Sequence, residues 1–359
     1  MKVALAHDYL TQRGGAERVV VSLTRAFPEA PLHTALYEPS STFPELAGVE
    51  VRTAWLDRLA PLRHHHRLAL PLLAPTFSAM RADADVVVCS SSGWAHGIRT
   101  DGRKVVYCHT PARWLYQGNR YLGSRVSRGS LALLRRALSA WDRRAAATAY
   151  RYLANSTAVR DRIRAAYGVD AEIVPPSPAL GPDGPARAVA GLDAGFALCV
   201  SRLLPYKNVG AIVEAFAGLP GEQLVIVGRG PEEAALRRGA PANVTVLGGV
   251  DDDELRWLYG SCRFVVAASF EDFGLTPLEG ASFGKPAAVL RFGGFLDTVV
   301  EGETGTFFDR PEPTVIRRAL ARLRSEIPDE ARIRTHAARF SEERFIARLR
   351  EIVAEEAAA

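Results

Sequence analysis

The amino-acid sequence predicts an α/β protein built from two Rossmann-like domains with parallel sheets. Three observations carry that prediction. Short apolar, partly β-branched runs alternate with helical patterns along the chain. Residues 175–195, rich in Pro, Gly and Ala and without periodicity, interrupt the alternation as a linker does. The alternation then starts afresh, and two successive βα series in 359 residues fit two domains. The expected division is residues 1–180, residues 195–334 and a closing helix over 335–359.

A strand over residues 3–6 opens the chain, and Gly14-Gly15 turns it into a helix over about 16–27. Further strands are expected at 86–89, 105–108, 152–154 and 172–174. After the linker they recur at 196–200, 223–227, 244–247, 264–268 and 287–290. Each is followed by glycine, proline or a capping residue and then a helical pattern. Asp251-Asp252-Asp253 runs straight into Glu254-Leu255, which suits an N-cap with an acidic first turn better than a metal site. A charged helical segment over about 329–357 closes the chain.

Composition narrows the class. Hydrophobic residues make up 48% and charged residues 24%, the balance of a soluble globular protein. No apolar run approaches the roughly 18 residues that span a bilayer. The first residues, MKVALAHDYL, enter a strand without a signal-peptide cleavage pattern, so a cytoplasmic protein is expected. Cys89, Cys108, Cys199 and Cys262 are scattered with no CxxC pair, which argues against a zinc site or a disulfide framework. His64-His65-His66 are adjacent, point in different directions and do not preform a metal site. The net charge of +5 is concentrated in residues 58–67 (RLAPLRHHHR) and 124–144. The second stretch sets Leu131, Leu134, Leu138 and Trp141 at helical spacing among arginines. It reads either as a helix packed on the core or as a basic amphipathic helix on the inner face of a membrane. No nucleic-acid partner is expected.

Several loops at strand ends have the chemistry of a phosphate site. Gly14-Gly15, Gly228-Arg229-Gly230-Pro231 and Gly293-Gly294 let backbone N–H groups approach an anion, although each also serves as a plain turn. Neither GxGxxG nor a P-loop occurs. Such loops at the ends of parallel strands predict two domains facing across a cleft. Arg202 and Lys207, five apart after the first strand of the second half, suit a diphosphate: arginine offers a planar fork and lysine a point charge. Residues 269–286 read SFEDFGLTPLEGASFGKP. Glu271 falls on the loop after a strand, where open α/β sheets bind ligands. Glu279 follows Thr276-Pro277-Leu278 in the pattern of a capping box, with Thr276 as N-cap.

This combination resembles the retaining glycosyltransferases of family 4, whose fold is GT-B. Glu271 and Glu279 stand as the E-x7-E motif in EDFGLTPLE, residues 201–208 (SRLLPYKN) as SRLxxxKN, His109 in VVYCHTP as the first-domain histidine, and Gly14-Gly15 as the glycine turn. The resemblance covers essentially the whole chain, including a closing helix that in such proteins packs back on the N-terminal domain. It implies transfer of a hexose from a nucleotide sugar to an acceptor hydroxyl with retained anomeric configuration. Arg202 and Lys207 would neutralise the donor diphosphate. Glu271 would hold the sugar hydroxyls, joined by backbone N–H groups of Phe273, Gly274 and Leu275. Glu279 would hold the ribose, Thr276 and its helix start the phosphate, and His109 would reach the sugar or the acceptor. The wording SRLLPYKN and CHTP is most like bacterial mannosyltransferases of surface polysaccharide synthesis, which implies GDP-mannose. UDP-glucose and UDP-N-acetylglucosamine are the alternative donors. A glycan, a lipid-linked sugar or a small molecule would be the acceptor, with no cofactor or metal. Asp297 stands where many members carry glutamate after the glycines, which touches specificity. The rivals are an epimerase or phosphorylase of the same fold and a nucleotide-sugar-binding protein without activity.

Overall fold

The computed structural model describes residues 1–116 and 130–359. The chain forms two compact units: Met1–Pro176 together with Glu342–Ala359, and Ser177–Ser341.

The first unit is built on seven strands: β1 (Val3–His7), β2 (Leu32–Thr34), β3 (Val51–Thr53), β4 (Val86–Ser91), β5 (Arg103–Cys108), β6 (Arg151–Ala154) and β7 (Glu172–Ile173). They are all parallel, in the order β3-β2-β1-β4-β5-β6-β7. Successive side chains point to opposite faces, so the sheet separates two cores. Ala4, Ala6, Val87, Cys89, Val106 and Cys108 face one; Leu5, Val86, Val88, Val105 and Tyr107 face the other. Both faces are covered, which is why these strands read as unbroken apolar runs. β2 and β3, three residues each, leave no such run and were not among the expected strands.

The second unit holds β8 (Ala197–Val200), β9 (Leu224–Val227), β10 (Val244–Gly248), β11 (Phe264–Ala267), β12 (Ala287–Leu290) and β13 (Gly305–Phe308). They too are parallel, in the order β10-β9-β8-β11-β12-β13. The 175–195 stretch has neither helix nor strand beyond Ser177, but it is not free of this unit. Leu180 joins the second core, and Arg187 N–H donates to Asp253 O at 3.0 Å. Asp251 caps the Asp252–Ser261 helix in a complete capping box with Glu254.

The closing segment differs from the single helix expected over 329–357. The Glu330–Ala337 helix belongs to the second unit, where Ile333 and Ala337 pack on Ala281 and Arg334 donates to Ser282 O at 2.7 Å. A 3-10 turn (Ala338–Phe340) and an extended Ser341 then end the helical run. The Glu342–Ala358 helix starts anew and covers the first unit's sheet with Phe345, Leu349, Ile352 and Val353. Ion pairs edge that contact: Arg25 with Glu342 at 2.8 Å, Arg348 with Glu172 at 2.7 Å and Arg103 with Glu356 at 2.7 Å.

The basic segment over 124–144, read either as a core-packed or as a membrane-surface helix, packs inward in part. Its residues 124–129 lie outside the described residues, and the Ser130–Ala146 helix follows. Leu138 is buried in the core, and the Trp141 ring lies 5.8 Å from that of Trp94. This part of the apolar stripe packs inward, although Leu134 is exposed. Among the described residues no helix is long and apolar enough to cross a membrane.

Phe345 and Leu349 of the closing helix are buried in the first unit's core beside Val19, Val20 and Leu23 of the Gly15–Ala26 helix. Leu349→Ala is expected to destabilise the protein by about 2–5 kcal/mol, read as a lower urea midpoint by circular dichroism. An unchanged midpoint would make this helix a loose appendage.

Candidate active site

Parallel strands deliver their loops to one edge of the sheet, and the loops of two neighbours part where the strand order reverses. In the second unit that place is between β8 and β11. The stretches that carry Arg202 and Lys207, and Glu271, leave from there.

The first stretch is held by glycines. A Cβ on Gly228, whose φ is +144°, would stand 1.8 Å from Ser201 O, and one on Gly230 would stand 2.3 Å from Leu203 O. Ser201 N–H donates to Val227 O and Leu203 N–H to Arg229 O, both at 2.9 Å. These glycines are therefore required by backbone approach to the Arg202 loop. The stretch ends at Asn208, among the described residues the one non-glycine with positive φ (54°). Its Nδ2 donates to Ala268 O at 2.8 Å, which ties the loop after β8 to the end of β11.

That tie brings Lys207 onto Glu271. Lys207 is buried, and its Nζ bonds Glu271 Oε1. Ser269 Oγ donates to the same oxygen at 2.9 Å. Tyr206 stands between the two cations. The Lys207 ammonium lies 5.1 Å from its ring centroid, and exposed Arg202 donates to its hydroxyl at 3.4 Å. The structure thus gathers Arg202, Lys207 and Glu271 and adds Tyr206 and Ser269.

The Glu271 loop rests on Gly293-Gly294 in the same way. A Cβ on Gly293 (φ +59°) would stand 2.0 Å from Glu271 O, and one on Gly294 2.2 Å from Phe273 Cα. Gly294 N–H donates to Glu271 O at 3.2 Å. Phe273 is buried, and its ring lies 6.2 Å from that of Phe340.

The expected capping box at Thr276 is not formed. The helix runs Leu275–Ser282 with Gly274, at φ 95°, as its N-cap. Any side chain on Gly274 would meet the Phe295 ring at 2.5 Å. Thr276 therefore lies inside the first turn, and its Oγ1 donates to Val200 O at 3.3 Å, at the end of β8. Glu279 is buried and accepts a 2.6 Å hydrogen bond from the Tyr259 hydroxyl. Burial, then the Glu279 carboxylate, pushes the Tyr259 phenol well above its ordinary range, so it stays a donor. Tyr259 comes from the Asp252–Ser261 helix, 20 residues before Glu279, and no local pattern announces it.

The first unit reverses its strand order between β1 and β4. Asp8, just after β1, accepts hydrogen bonds from Ser92, Trp94 and Ala95 N–H at 2.6, 3.2 and 2.7 Å. It shapes the turn after β4. His109 follows β5, and its Nε2 lies 2.8 Å from Ser90 Oγ. His7 Nδ1 lies 3.0 Å from both Ser90 O and Ser90 Oγ. A carbonyl only accepts, so His7 Nδ1 carries the proton, and the Ser90 hydroxyl is left to donate to His109. Burial, with His7 and Arg113 beside it, lowers the His109 imidazole to about 3. Gly14 caps the Gly15–Ala26 helix in an extended conformation that any residue adopts. What excludes a side chain there is Glu17, whose Oε2 would lie 2.6 Å from a Cβ. Glu17 is buried and accepts from Gln12 Nε2 at 2.9 Å, so this helix start already carries a carboxylate. Among the described residues no cluster of three or more His, Cys, Asp or Glu could hold a metal ion.

Comparison with known proteins bears on both units. Residues 13–177 match the family model Glycosyltransferase Family 4, and residues 187–340 match Glycosyl transferases group 1. Each half of the chain thus matches a glycosyltransferase family model. A GDP-mannose-dependent alpha-(1-6)-phosphatidylinositol monomannoside mannosyltransferase of Mycolicibacterium smegmatis is 31% identical over 191 residues, 46% of this chain and 50% of that protein. A D-inositol 3-phosphate glycosyltransferase of Mycobacterium avium is 32% identical over 193 residues, 48% of this chain and 44% of that one. The chain thus spans half or less of these curated relatives. The fold is that of the Anabaena protein Alr3699/HepE, solved with UDP-glucose, at TM-score 0.68 and 19% identity over 99% of each chain. WaaG, a glycosyltransferase involved in lipopolysaccharide biosynthesis, superposes with TM-score 0.65 at 16% identity over 98% of this chain and 99% of its own. These are GT-B structures, and two units with parallel sheets of seven and six strands are that fold.

Two outcomes follow from this geometry. His109 is expected to stay neutral across about pH 5–8 in an NMR titration. Its lowered pKa makes the folded state lose stability as pH falls from the unfolded value of 6.5 toward about 3. His109→Gln is expected to flatten that loss in melts taken across the range, and an equally steep loss would assign it to other groups. Gly293→Ala is expected to destabilise by more than about 1 kcal/mol, because it adds both a clash and a strained φ.

Proposed function

With each half matching a glycosyltransferase family model, we propose that the protein is a retaining hexosyltransferase. The donor in this reading is a nucleotide sugar, GDP-mannose foremost, and the acceptor is a hydroxyl of a glycan, a lipid-linked sugar or a small molecule. The observation that carries it is the Lys207–Glu271 contact at the β8–β11 reversal, with Arg202 on the same loop. A cationic pair beside a carboxylate matches a substrate with a diphosphate on one side and sugar hydroxyls on the other. The mannosyltransferase named above supports mannose as the sugar.

In this mechanism Arg202 and Lys207 stabilise the departing diphosphate, together with the N–H groups at the start of the Leu275–Ser282 helix. The donor phosphate draws Lys207 toward itself and leaves Glu271 to accept from sugar hydroxyls. Backbone N–H groups of Phe273, Gly274 and Leu275 add to that contact. Glu279, oriented by Tyr259, accepts from the ribose. The bond from the anomeric carbon to the phosphate oxygen breaks, and the acceptor oxygen bonds that carbon from the same face. The acceptor proton passes to the leaving phosphate oxygen, which accounts for every atom without a protein nucleophile. Neutral His109 serves the sugar or the acceptor as a hydrogen-bonding group.

A donor screen tests the reading. GDP-mannose, UDP-glucose and UDP-N-acetylglucosamine are each added in a thermal-shift assay and then in a turnover assay. GDP-mannose is expected to raise the melting temperature and to be consumed. Stabilisation by any of them without transfer to any acceptor would favour the non-catalytic binding protein.

Glu271→Ala is expected to lose at least about a hundredfold in turnover with the fold intact by circular dichroism. Arg202→Ala and Lys207→Ala are each expected to lose a similar factor, with the double variant far short of their product, because both serve one diphosphate. Full additivity would place them at separate sites. His109→Ala is expected to lower turnover much more than calorimetric affinity for GDP. An equal fall in both would make His109 a donor ligand.

A further inference from the structure

One face of the first unit combines apolar exposure with a scarcity of acid. Neither residues 58–82 nor residues 102–141 contain a single Asp or Glu. The His66–Ala79 helix sends Ala69, Leu73, Ala74 and Phe77 into the core. Its other side is apolar as well: Leu68, Pro71, Leu72 and Pro75 are exposed. A helix apolar all round belongs in a core, yet Leu68 is 65% and Leu72 37% accessible, with Trp55 at 49% and Leu59 at 45% nearby in the chain. Those four and Leu134 make five of the ten exposed large apolar side chains among the described residues. They lie on elements that touch in succession: the Trp55–Arg58 turn, the Ala60–His64 helix, the His66–Ala79 helix and the Ser130–Ala146 helix. Trp141 Nε1 donates to Ser78 Oγ at 2.8 Å and ties the last two together. Arg58, His64, His65, Arg135 and Arg136 are exposed on the same elements.

We propose that this face seats the first unit on an anionic lipid bilayer. Leu68, Leu72, Leu59 and Trp55 enter the boundary between headgroups and acyl chains, while Arg58, Arg135 and Arg136 meet lipid phosphates. The charge argues for this occupant, because a surface edged with arginine, whose Asp57 accepts from Tyr37 N–H at 2.8 Å and whose Asp142 is fully buried, complements a negative plane. So does the side-chain chemistry: Trp and Arg each pair an apolar body with a polar end, as the interface demands. A protein partner would have to supply an acidic rim around an apolar groove; a bilayer requires only depth and charge. The surface differs from the one expected from sequence, because Leu138 and Trp141 of the amphipathic segment turn inward. Nothing in this inference depends on what the protein transfers.

The test is flotation of the full chain with vesicles of phosphatidylcholine alone, or of phosphatidylcholine with phosphatidylglycerol. Binding is expected to the anionic vesicles and to weaken as salt is raised. Leu68→Glu with Leu72→Glu is expected to reduce it about tenfold or more. Lipids brominated along the acyl chain should quench tryptophan emission in the parent and less in Trp55→Phe. Should the double variant fold poorly by circular dichroism, Arg58→Glu with Arg136→Glu, both at exposed positions, takes its place. Absent flotation, or flotation unchanged in a folded variant, would overturn the proposal. So would a parent dimer that the Leu68/Leu72 variant converts to monomer in light scattering, since a second copy would then cover the face.

Discussion

The arrangement of the second unit depends on one topological fact, the reversal of strand order between β8 and β11. Two βα series run outward from that line in opposite directions, so their loops part there. The chain joins them with side chains. Asn208 reaches Ala268 O, Lys207 reaches Glu271, and Thr276 reaches Val200 O. Each contact joins residues 60 to 76 positions apart in sequence. An ion pair at such a place fixes two loops against each other while leaving both charges available to a ligand of mixed polarity.

Close backbone packing supports those loops from behind. Gly228 and Gly230 lie under the Arg202 stretch, and Gly293 and Gly294 under the Glu271 stretch, all at distances no Cβ tolerates. Sites built on backbone contacts are held more firmly than sites built on side chains, because there is no rotamer to change. The glycines thus act on the chemistry at one remove, by placing the peptide units that carry Arg202 and Glu271.

In the first unit the corresponding constraint is burial. His7, Ser90 and His109 share one short line of hydrogen bonds at the ends of β1, β4 and β5. Their removal from water holds His109 neutral. The sheet behind them has a face that its own first 176 residues leave incomplete, and the Glu342–Ala358 helix completes it. The first unit is therefore assembled from both ends of the chain.

Periodicity was enough to read the two parallel-sheet units, the linker composition over 175–195 and most of the buried strands, because a strand covered on both faces must be apolar throughout. Capping chemistry was equally local: Asp251 and Glu254 form their box as written. The spacings of Arg202 to Lys207 and of Glu271 to Glu279 were visible too, since each is a short interval of sequence. Where those loops meet was not, because pairing across β8 and β11 follows strand order, which no local pattern encodes. The same limit hid Tyr259 behind Glu279 and Ser90 behind His109. It misassigned Thr276, whose cap role passes to Gly274 once the Phe295 ring fills the space a side chain would need. It also left open which apolar stripe faces outward. Helical spacing marks a face, but only packing against the sheet decides that Leu138 turns in and Leu68 turns out.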